Sequence, residues 1–254
     1  MIYNMISDKV IVKSKPAIYL SGGLDSTIIL HHLREKTTED IYSYTAKFNS
    51  EFDECDDAKQ VAEHYGTIHT EVEIDNLIDK LPEILKYFDR PRYNVWGYFL
   101  TKKVKEDGRL TVYGGEGGDE HFGGYECSYL EGWANQIAYI SPTYLNIHDR
   151  IGVNLERPFL DLDWQDTFKY YAPSEKWMLR KEYALKIPDF VIGKKKTPPA
   201  FTNWIELWEK ELHIYFPNYK PKNETDVKLA MQAIVAEKWR DAIDYKFGQY
   251  YDED

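Results

Sequence analysis

One glycine-containing turn constrains the fold of this chain more than any other stretch. The run Leu20–Thr27 (LSGGLDST) ends a short apolar run at 17–20 and opens an apolar helical pattern that extends to about Lys36. A strand, a glycine turn and a helix in that order aim backbone N–H groups at an anion, and glycine permits a close backbone approach. Asp25 would repel a bare phosphate, so the sequence predicts a phosphate-binding loop with a bridging Mg²⁺.

Strand-like and helix-like patterns alternate through the first half of the chain. Polar turns, or a helix-ending glycine such as Gly66, separate the elements. This alternation predicts βαβ units and a parallel sheet, in which ligands bind at the carboxyl ends of the strands. The predicted strands are residues 10–12, 17–20, 41–48, 68–74 and 110–113, and the predicted helices are residues 27–36, 54–65, 75–88 and 94–105.

The second half of the chain has a different pattern. After Tyr125 helical periodicity dominates, and residues 227–250 are typical of a long closing helix or a helix pair. We therefore expect an α/β fold, with a parallel twisted sheet and flanking helices in residues 1–125 and a mostly α-helical part in residues 126–254. Both parts are expected to form one domain.

A second glycine-rich loop follows the predicted strand at 110–113. The run Gly114–Tyr125 (GGEGGDEHFGGY) contains six glycines and three acidic residues in twelve positions. Because this loop also follows a strand of the predicted parallel sheet, we expect it at the same sheet edge as Leu20–Thr27. A flexible, solvated loop could also be rich in Gly and Asp, but the presence of two such loops at one sheet edge argues against that interpretation.

Composition excludes several classes of function. The net charge of −11 argues against non-specific binding to nucleic acid and to an anionic membrane surface. No stretch approaches the ~20 apolar residues of a membrane span, and the first residues carry no signal-peptide pattern. Cys55 and Cys127 have neither metal-ligand spacing nor a CxxC partner, which is typical of free thiols in a reducing compartment. We therefore expect a cytoplasmic protein.

The two loops together resemble the synthetase domain of the asparagine synthetase family, a branch of the PP-loop ATP pyrophosphatases. SGGLDS matches the family's pyrophosphate loop, and the second loop is similar to its SGEGxDExFGGY motif. Neither ends in the Gly-Lys-Ser/Thr of a Walker A loop. Three further segments resemble the family in the same order, and the likeness covers about residues 17–200. They are Glu54–His69, Pro158–Asp161 (PFLD) and Val191–Lys196 (VIGKKK).

The resemblance implies a PP-loop fold, ATP and Mg²⁺ as cofactors, and a set of site residues. It implies that Asp25 and Asp119 hold the metal and that Glu116 guides the incoming amine and accepts its proton. It implies that Lys196 stabilises the reacting phosphorus and the departing pyrophosphate, with Lys194 nearby. The implied nucleotide contacts are Ser21, Gly22, Gly23 and Ser26 on the phosphates, Leu20 and Ala46 around the adenosine, and Gly114 (usually Ser in the family) and Gly115 on the ribose and adenylate.

The implied activity is an ATP-dependent ligase that adenylates a carboxylate, aspartate being one candidate, and transfers ammonia or an amine to form an amide. Release of AMP and pyrophosphate and a role in asparagine biosynthesis belong to the same expectation. One alternative is an amidotransferase or lactam-forming synthetase that acts on another acid. A second is a non-catalytic ATP-binding partner subunit, which the presence of Asp25, Glu116, Asp119 and Lys196 disfavours.

The sequence departs from the family in two places. The glutamine-using members begin with a glutaminase domain that has an N-terminal cysteine, whereas SGGLDS is reached here by residue 21 and the first cysteine is Cys55. We therefore expect free ammonia, another amine, or nitrogen from a separate glutaminase chain. Before PFLD the family has ExRx; here Asn154 replaces the acid and Glu156 the arginine, with Arg157 one position later. This change leaves the acceptor acid open. His121 is expected to be a packing variant.

Overall fold

The computed structural model describes residues 2–48, 54–88, 95–124, 129–137, 141–172, 175–195 and 207–248. In this part of the chain, five parallel strands form one sheet in the order β3-β2-β1-β4-β5. The strands are β1 (Ala17–Tyr19), β2 (Tyr42–Lys47), β3 (Ile68–Glu73), β4 (Thr111–Tyr113) and β5 (Asn154–Glu156). The α/β class with a parallel sheet, predicted from the alternation, is confirmed.

Helices flank this sheet and predominate in the described part of the second half of the chain. The long closing helix is continuous over 25 residues, α12 (Glu224–Gly248). The other α-helices are α1 (Ile2–Lys9), α2 (Leu24–Lys36), α3 (Cys55–Tyr65), α4 (Leu77–Leu85), α5 (Gly97–Glu106), α6 (Gly118–Phe122), α7 (Tyr129–Asn135), α8 (Ser141–Ile151), α9 (Trp164–Thr167), α10 (Trp177–Tyr183) and α11 (Asp189–Gly193). Among the described residues, none of these helices has both the length and the hydropathy needed to cross a membrane.

The order of the strands places a topological switch point between β1 and β4. The chain runs from β1 outward to β2 and β3, and then returns to the other side of β1 to form β4. In open parallel sheets, ligands bind at such a point, outside the carboxyl ends of the strands. Both glycine loops begin there, since one follows β1 and the other follows β4.

The predicted edge strand at residues 10–12 is wrong. Residues 2–9 form α1, and the segment that follows pairs with no strand among the described residues. Side chains hold its backbone instead: the Tyr113 hydroxyl donates to the Ile11 carbonyl at 2.6 Å, and Lys36 Nζ donates to the Val10 carbonyl at 2.9 Å. The Val-Ile-Val run thus buries Val10 without a ladder.

The strand β5 was not predicted. It pairs with β4, with Thr111 opposite Asn154 and Tyr113 opposite Glu156. The hydrogen bond from Gly114 N to the Glu156 carbonyl, 2.9 Å, continues this pairing into the second glycine loop. The segment before PFLD therefore lies at the sheet edge, beside that loop. Of the two cysteines, Cys55 is buried and takes part in no disulfide among the described residues, and Cys127 lies outside them.

Candidate active site

The first loop is closed on itself by short-range hydrogen bonds. Ser21 Oγ lies 3.1 Å from Ser26 Oγ and accepts from Gly23 N at 3.2 Å, while Ser26 Oγ donates to the Gly23 carbonyl at 3.3 Å. Gly22 has φ of 67°, and a Cβ on it would lie 2.5 Å from the Asp57 carbonyl carbon at the start of α3. Only glycine fits there, and the hydrogen bonds of Ser21 and Ser26 order the loop without a ligand.

The second loop packs directly on the first. A Cβ on Gly115 would lie 2.9 Å from Ser26 N, and one on Gly118 would lie 2.5 Å from Asp25 Cγ. Bare backbone at both positions therefore lets the two loops touch. The expectation that both loops share one sheet edge agrees with this geometry.

Asp25 and Asp119 converge on one cation. The Nζ of Lys176 contacts Asp25 Oδ2 and lies 2.7 Å from Asp119 Oδ1. Burial by itself lowers the pKa of Lys176, but the two carboxylates together outweigh it, so its pKa is raised and the side chain is an ammonium. Sequence reasoning missed Lys176, because a single lysine before a helix gives no signal in its spacing.

This pair of carboxylates fits Mg²⁺. Carboxylate oxygens are the ligands that this ion prefers, and Asp25 and Asp119 already direct theirs to one point. Among the described residues, no group of three or more His, Cys, Asp or Glu side chains is arranged to hold a metal. A magnesium ion at this point would therefore take its other ligands from water and from phosphate, as Mg²⁺ commonly does.

Glu116 has a buried carboxylate oxygen in the second loop. Its Oε2 has no hydrogen-bond partner among the described residues. Burial raises the pKa of Glu116 above the usual carboxyl range, and a backbone hydrogen bond and the charge of Arg157 offset this only in part. A Cβ on Gly114 would lie 2.0 Å from Oε2, so a serine there would require the carboxylate to turn away. The side chain is suited to accept a proton.

Polar side chains from several elements surround Glu116, and Arg157 is the one among them that the sequence had pointed to. Burial, and then the charge of Glu116, raises the pKa of the Tyr144 phenol. The Tyr19 hydroxyl lies 2.8 Å from His148 Nε2. Burial chiefly raises the pKa of Tyr19, and the charge of Glu116 adds to this rise. Arg157 donates from Nη1 to Ser141 Oγ at 2.8 Å. These residues come from β1, α8 and the end of β5, so only the folded sheet brings them together.

The residues that differ from the family before PFLD make two separate sets of interactions. Asn154 Nδ2 donates to Glu156 Oε1 at 2.6 Å, so the two substituted positions pair with each other along β5. The charge of Arg157 instead acts on Glu116, where it offsets part of the rise in pKa that burial causes. Within the described part of the chain, Arg157 and Glu116 form no ion pair. The positive charge therefore faces the second loop from the position after the family's arginine.

The structure describes Leu20, Ala46 and Lys194, three of the residues predicted to contact the adenosine and the pyrophosphate. Leu20 is buried, and its N–H donates to the Tyr44 carbonyl at 2.9 Å, while Ala46 lies near the end of the neighbouring strand. Lys194 Nζ pairs with Asp57 Oδ2 at 2.5 Å, beside Gly22. Lys196 lies outside the described residues.

His121 is a packed interior side chain. It is fully buried, its Nδ1 lies 2.6 Å from Thr167 Oγ1, and its ring meets that of Trp133 edge-on. Burial lowers the pKa of His121 to about 4, so the imidazole is neutral near pH 7. The packing role expected from the sequence agrees with these contacts.

Comparison with known proteins decides the family. The profile described as asparagine synthase matches residues 7–169, which include both glycine loops, PFLD and β5. The chain belongs to the asparagine synthase family. Lys176 and Lys194 lie just beyond the part of the chain that this family profile covers.

Similar members of the asparagine synthase family come from distant organisms. A putative glutamine-hydrolysing asparagine synthetase of Methanocaldococcus jannaschii is 33% identical over 138 residues, covering 51% of this chain and 26% of that protein. A probable glutamine-hydrolysing asparagine synthetase of Dictyostelium discoideum is 28% identical over 232 residues, covering 74% of this chain and 41% of that protein. The chain thus spans less than half the length of these relatives. An NH3-dependent NAD synthetase from Campylobacter jejuni aligns with 93% of this chain and 92% of its own, at 16% identity and a TM-score of 0.42.

Proposed function

We propose that this protein is an ATP-dependent ligase that forms an amide bond. It adenylates a carboxylate, with release of pyrophosphate, and then transfers ammonia or an amine to the acyl group. The observation that carries the proposal is the convergence of two glycine loops at the switch point of the sheet, which sets Asp25, Asp119 and Glu116 on one edge. Membership of the asparagine synthase family supports it.

The first half of the reaction is assigned to the first loop. The N–H of Gly22 and those at the start of α2 would donate to phosphate oxygens, whereas the N–H groups of Ser21 and Gly23 donate to serine hydroxyls within the loop. Asp25 and Asp119 would hold Mg²⁺, which when bound neutralises negative charge on the phosphates. Lys194, and Lys196 by family resemblance, would stabilise the departing pyrophosphate. Leu20 and Ala46 would line the adenosine, and Gly114 and Gly115 the ribose.

The second half of the reaction is assigned to Glu116. Attack of an amine on the acyl carbon of the adenylate forms the carbon–nitrogen bond, breaks the bond to AMP and leaves a proton on nitrogen. The raised pKa of Glu116 makes its carboxylate a stronger base for that proton. Arg157 gives this side of the site a positive charge that suits an acidic acceptor such as aspartate.

The nitrogen donor is proposed to be ammonia or an amine, reaching a cytoplasmic protein either free or from a separate glutaminase chain. The runner-up function keeps the adenylation and changes the acceptor, as an amidotransferase or lactam-forming synthetase would. The replacement of the family's acid and arginine by Asn154 and Glu156 favours this alternative.

ATP–pyrophosphate exchange tests the proposal. The protein is incubated with ATP, Mg²⁺ and labelled pyrophosphate, together with single acids from a panel that includes aspartate, glutamate and their monocarboxylate analogues. We expect exchange with at least one acid and capture of its adenylate by mass spectrometry. ATP binding without exchange for any acid would favour a non-catalytic ATP-binding subunit instead.

A further inference from the structure

Lys176 joins the two glycine loops through an ion-pair bridge. Its ammonium contacts Asp25 in the first turn of α2 and Asp119 in the first turn of α6. The lysine is only 7% exposed, so salt in the solvent screens this bridge weakly. One cation thus holds the two loops together at the sheet edge.

The backbone around the bridge is shaped to admit this side chain. Lys176 has φ of 48°, a left-handed conformation that residues other than glycine seldom adopt. A Cβ on Gly124 would lie 2.6 Å from Lys176 Cε and 1.5 Å from Asp119 Oδ1. Bare backbone at Gly124, and at Gly118 beside Asp25, therefore leaves room for three charged side chains. The local strain and the two glycines indicate a built position for the ammonium.

The helix that follows Lys176 is anchored at its other end. Tyr183 OH lies 2.6 Å from the buried His32 Nε2 of α2. Arg180 of α10 donates to the Lys194 carbonyl at 2.9 Å. Lys176 therefore precedes a helix that is held in place, and rotation about its own side-chain bonds can move Nζ without any change of fold.

A metal ion bound between Asp25 Oδ2 and Asp119 Oδ1 would use the two oxygens that the ammonium contacts. Mg²⁺ binds carboxylate oxygens at about 2.0–2.1 Å, which leaves no room for Lys176 Nζ at the same point. Two cations so close together, in a site shielded from solvent, repel each other strongly. The position between Asp25 Oδ2 and Asp119 Oδ1 can therefore hold the ammonium or a metal ion, and not both at once.

We propose that the Lys176 ammonium is an internal cation that holds the metal position of the nucleotide-free protein and leaves Asp25 and Asp119 when Mg²⁺ and nucleotide bind. The arrival of a nucleotide rests on the proposed function, whereas the exclusion between lysine and metal does not. The released ammonium stays beside the first loop, where phosphate oxygens offer a new partner. The metal ion by itself then binds weakly, because it must displace the ammonium, and it binds more tightly when the nucleotide is present.

Metal binding to the nucleotide-free protein tests this exclusion. Mn²⁺ affinity is measured by electron paramagnetic resonance for the full chain, for Lys176→Met and for Lys181→Met. Lys181 lies exposed on α10, so it controls for the loss of one positive charge. We expect Lys176→Met to bind Mn²⁺ at least about tenfold more tightly than the wild type, and Lys181→Met to match the wild type within about twofold. Equal affinity of the wild type and Lys176→Met, or no detectable binding by either, would overturn the proposal.

A measurement on the wild type covers the case in which Lys176→Met does not fold. Reductive dimethylation of lysine amines, read by mass spectrometry, is expected to modify Lys176 slowly in metal-free protein and faster with excess Mg²⁺, while Lys181 is unaffected. An unchanged rate at Lys176 would contradict the exchange. Neither experiment needs an acid substrate, so a protein that adenylates nothing would refute the proposed function and leave this inference standing.

Discussion

At the scale of single residues, Glu116 is the most informative side chain. Its Oε2 is buried and lacks a hydrogen-bond partner among the described residues; such a group costs stability, so its presence indicates a functional role. The raised pKa of Glu116 adds that its carboxylate is a better base than an exposed one. Both features fit a proton acceptor in the amide-forming step.

Glu116→Gln separates the two halves of the reaction. The amide keeps the size of the carboxylate but cannot accept a proton, so we expect exchange to persist while amide formation slows by roughly a hundredfold or more. Amide product is measured by mass spectrometry beside the exchange rate. Glu106→Gln, an exposed change on α5, is the matched control. Loss of ATP binding in Glu116→Gln would show that the residue serves the nucleotide.

Residue patterns predicted part of this site. Glycines and acids at fixed spacing identified both loops, because few side chains tolerate that backbone and that charge. The same patterns contained no sign of Lys176, whose position depends on a left-handed backbone before α10, and they named Arg157 without its location, which depends on the unpredicted β5. No local pattern records either cause.

At the scale of elements, the close approach of the first loop to α3 is the critical contact. Gly22 and Gly66 both have positive φ, but a Cβ on Gly66 would meet nothing within 4 Å, whereas one on Gly22 would strike the backbone of Asp57 and Ala58. An alanine at Gly66 would therefore suffer backbone strain alone, whereas an alanine at Gly22 would suffer both strain and steric overlap.

Gly22→Ala is expected to cost more than Gly66→Ala, in stability and in binding. Strain alone predicts a loss of about 1 kcal/mol for Gly66→Ala in the free energy of unfolding. Gly22→Ala adds displacement of the phosphate loop, so ATP affinity should also fall. Urea denaturation and calorimetric ATP titration measure the two effects. Equal losses of stability with unchanged ATP affinity would contradict the assigned role of the loop.

The contact between α2 and α10 makes stability depend on pH. His32 is fully buried against Tyr183, and burial lowers its pKa to about 4. In the unfolded chain the His32 imidazole is protonated near pH 6.5, whereas in the folded protein it stays neutral down to about pH 4. The free energy of unfolding is therefore unaffected by this group above pH 6.5 and falls as pH drops toward 4, by about 3 kcal/mol at most.

His32→Gln should therefore flatten the loss of stability on acidification. Urea denaturation of this variant, the wild type and His64→Gln, an exposed change on α3, is compared between pH 4.5 and 7.5. We expect a smaller drop for His32→Gln and a wild-type drop for His64→Gln. The same drop in all three proteins would remove His32 from the account of acid sensitivity.

The sequence also predicted elements unequally. Strands β1 to β4 and the first helices have clear periodicity, so they were found. The strand β5 has only three residues and forms because β4 offers it an edge. The apolar run at 10–12 lacks such an edge, and hydrogen bonds from Tyr113 and Lys36 replace the ladder.

At the scale of the whole molecule, the order β3-β2-β1-β4-β5 explains why one site draws on the entire chain. The switch point brings together the loops after β1 and β4, while β5 and α10 add Arg157 and Lys176 from the second half. We propose that the two halves form one domain, since neither holds all of these groups by itself.

Transfer of oxygen from the acid to AMP distinguishes adenylation of the acid from any other use of ATP. The protein is given ATP, Mg²⁺, ammonia and the acid that supports exchange, labelled with ¹⁸O in its carboxylate. Adenylation followed by amide formation leaves one labelled oxygen on AMP, which ³¹P NMR and mass spectrometry detect beside the pyrophosphate and the amide. The account predicts one ¹⁸O per AMP. Unlabelled AMP, or ADP and phosphate as the products, would contradict it.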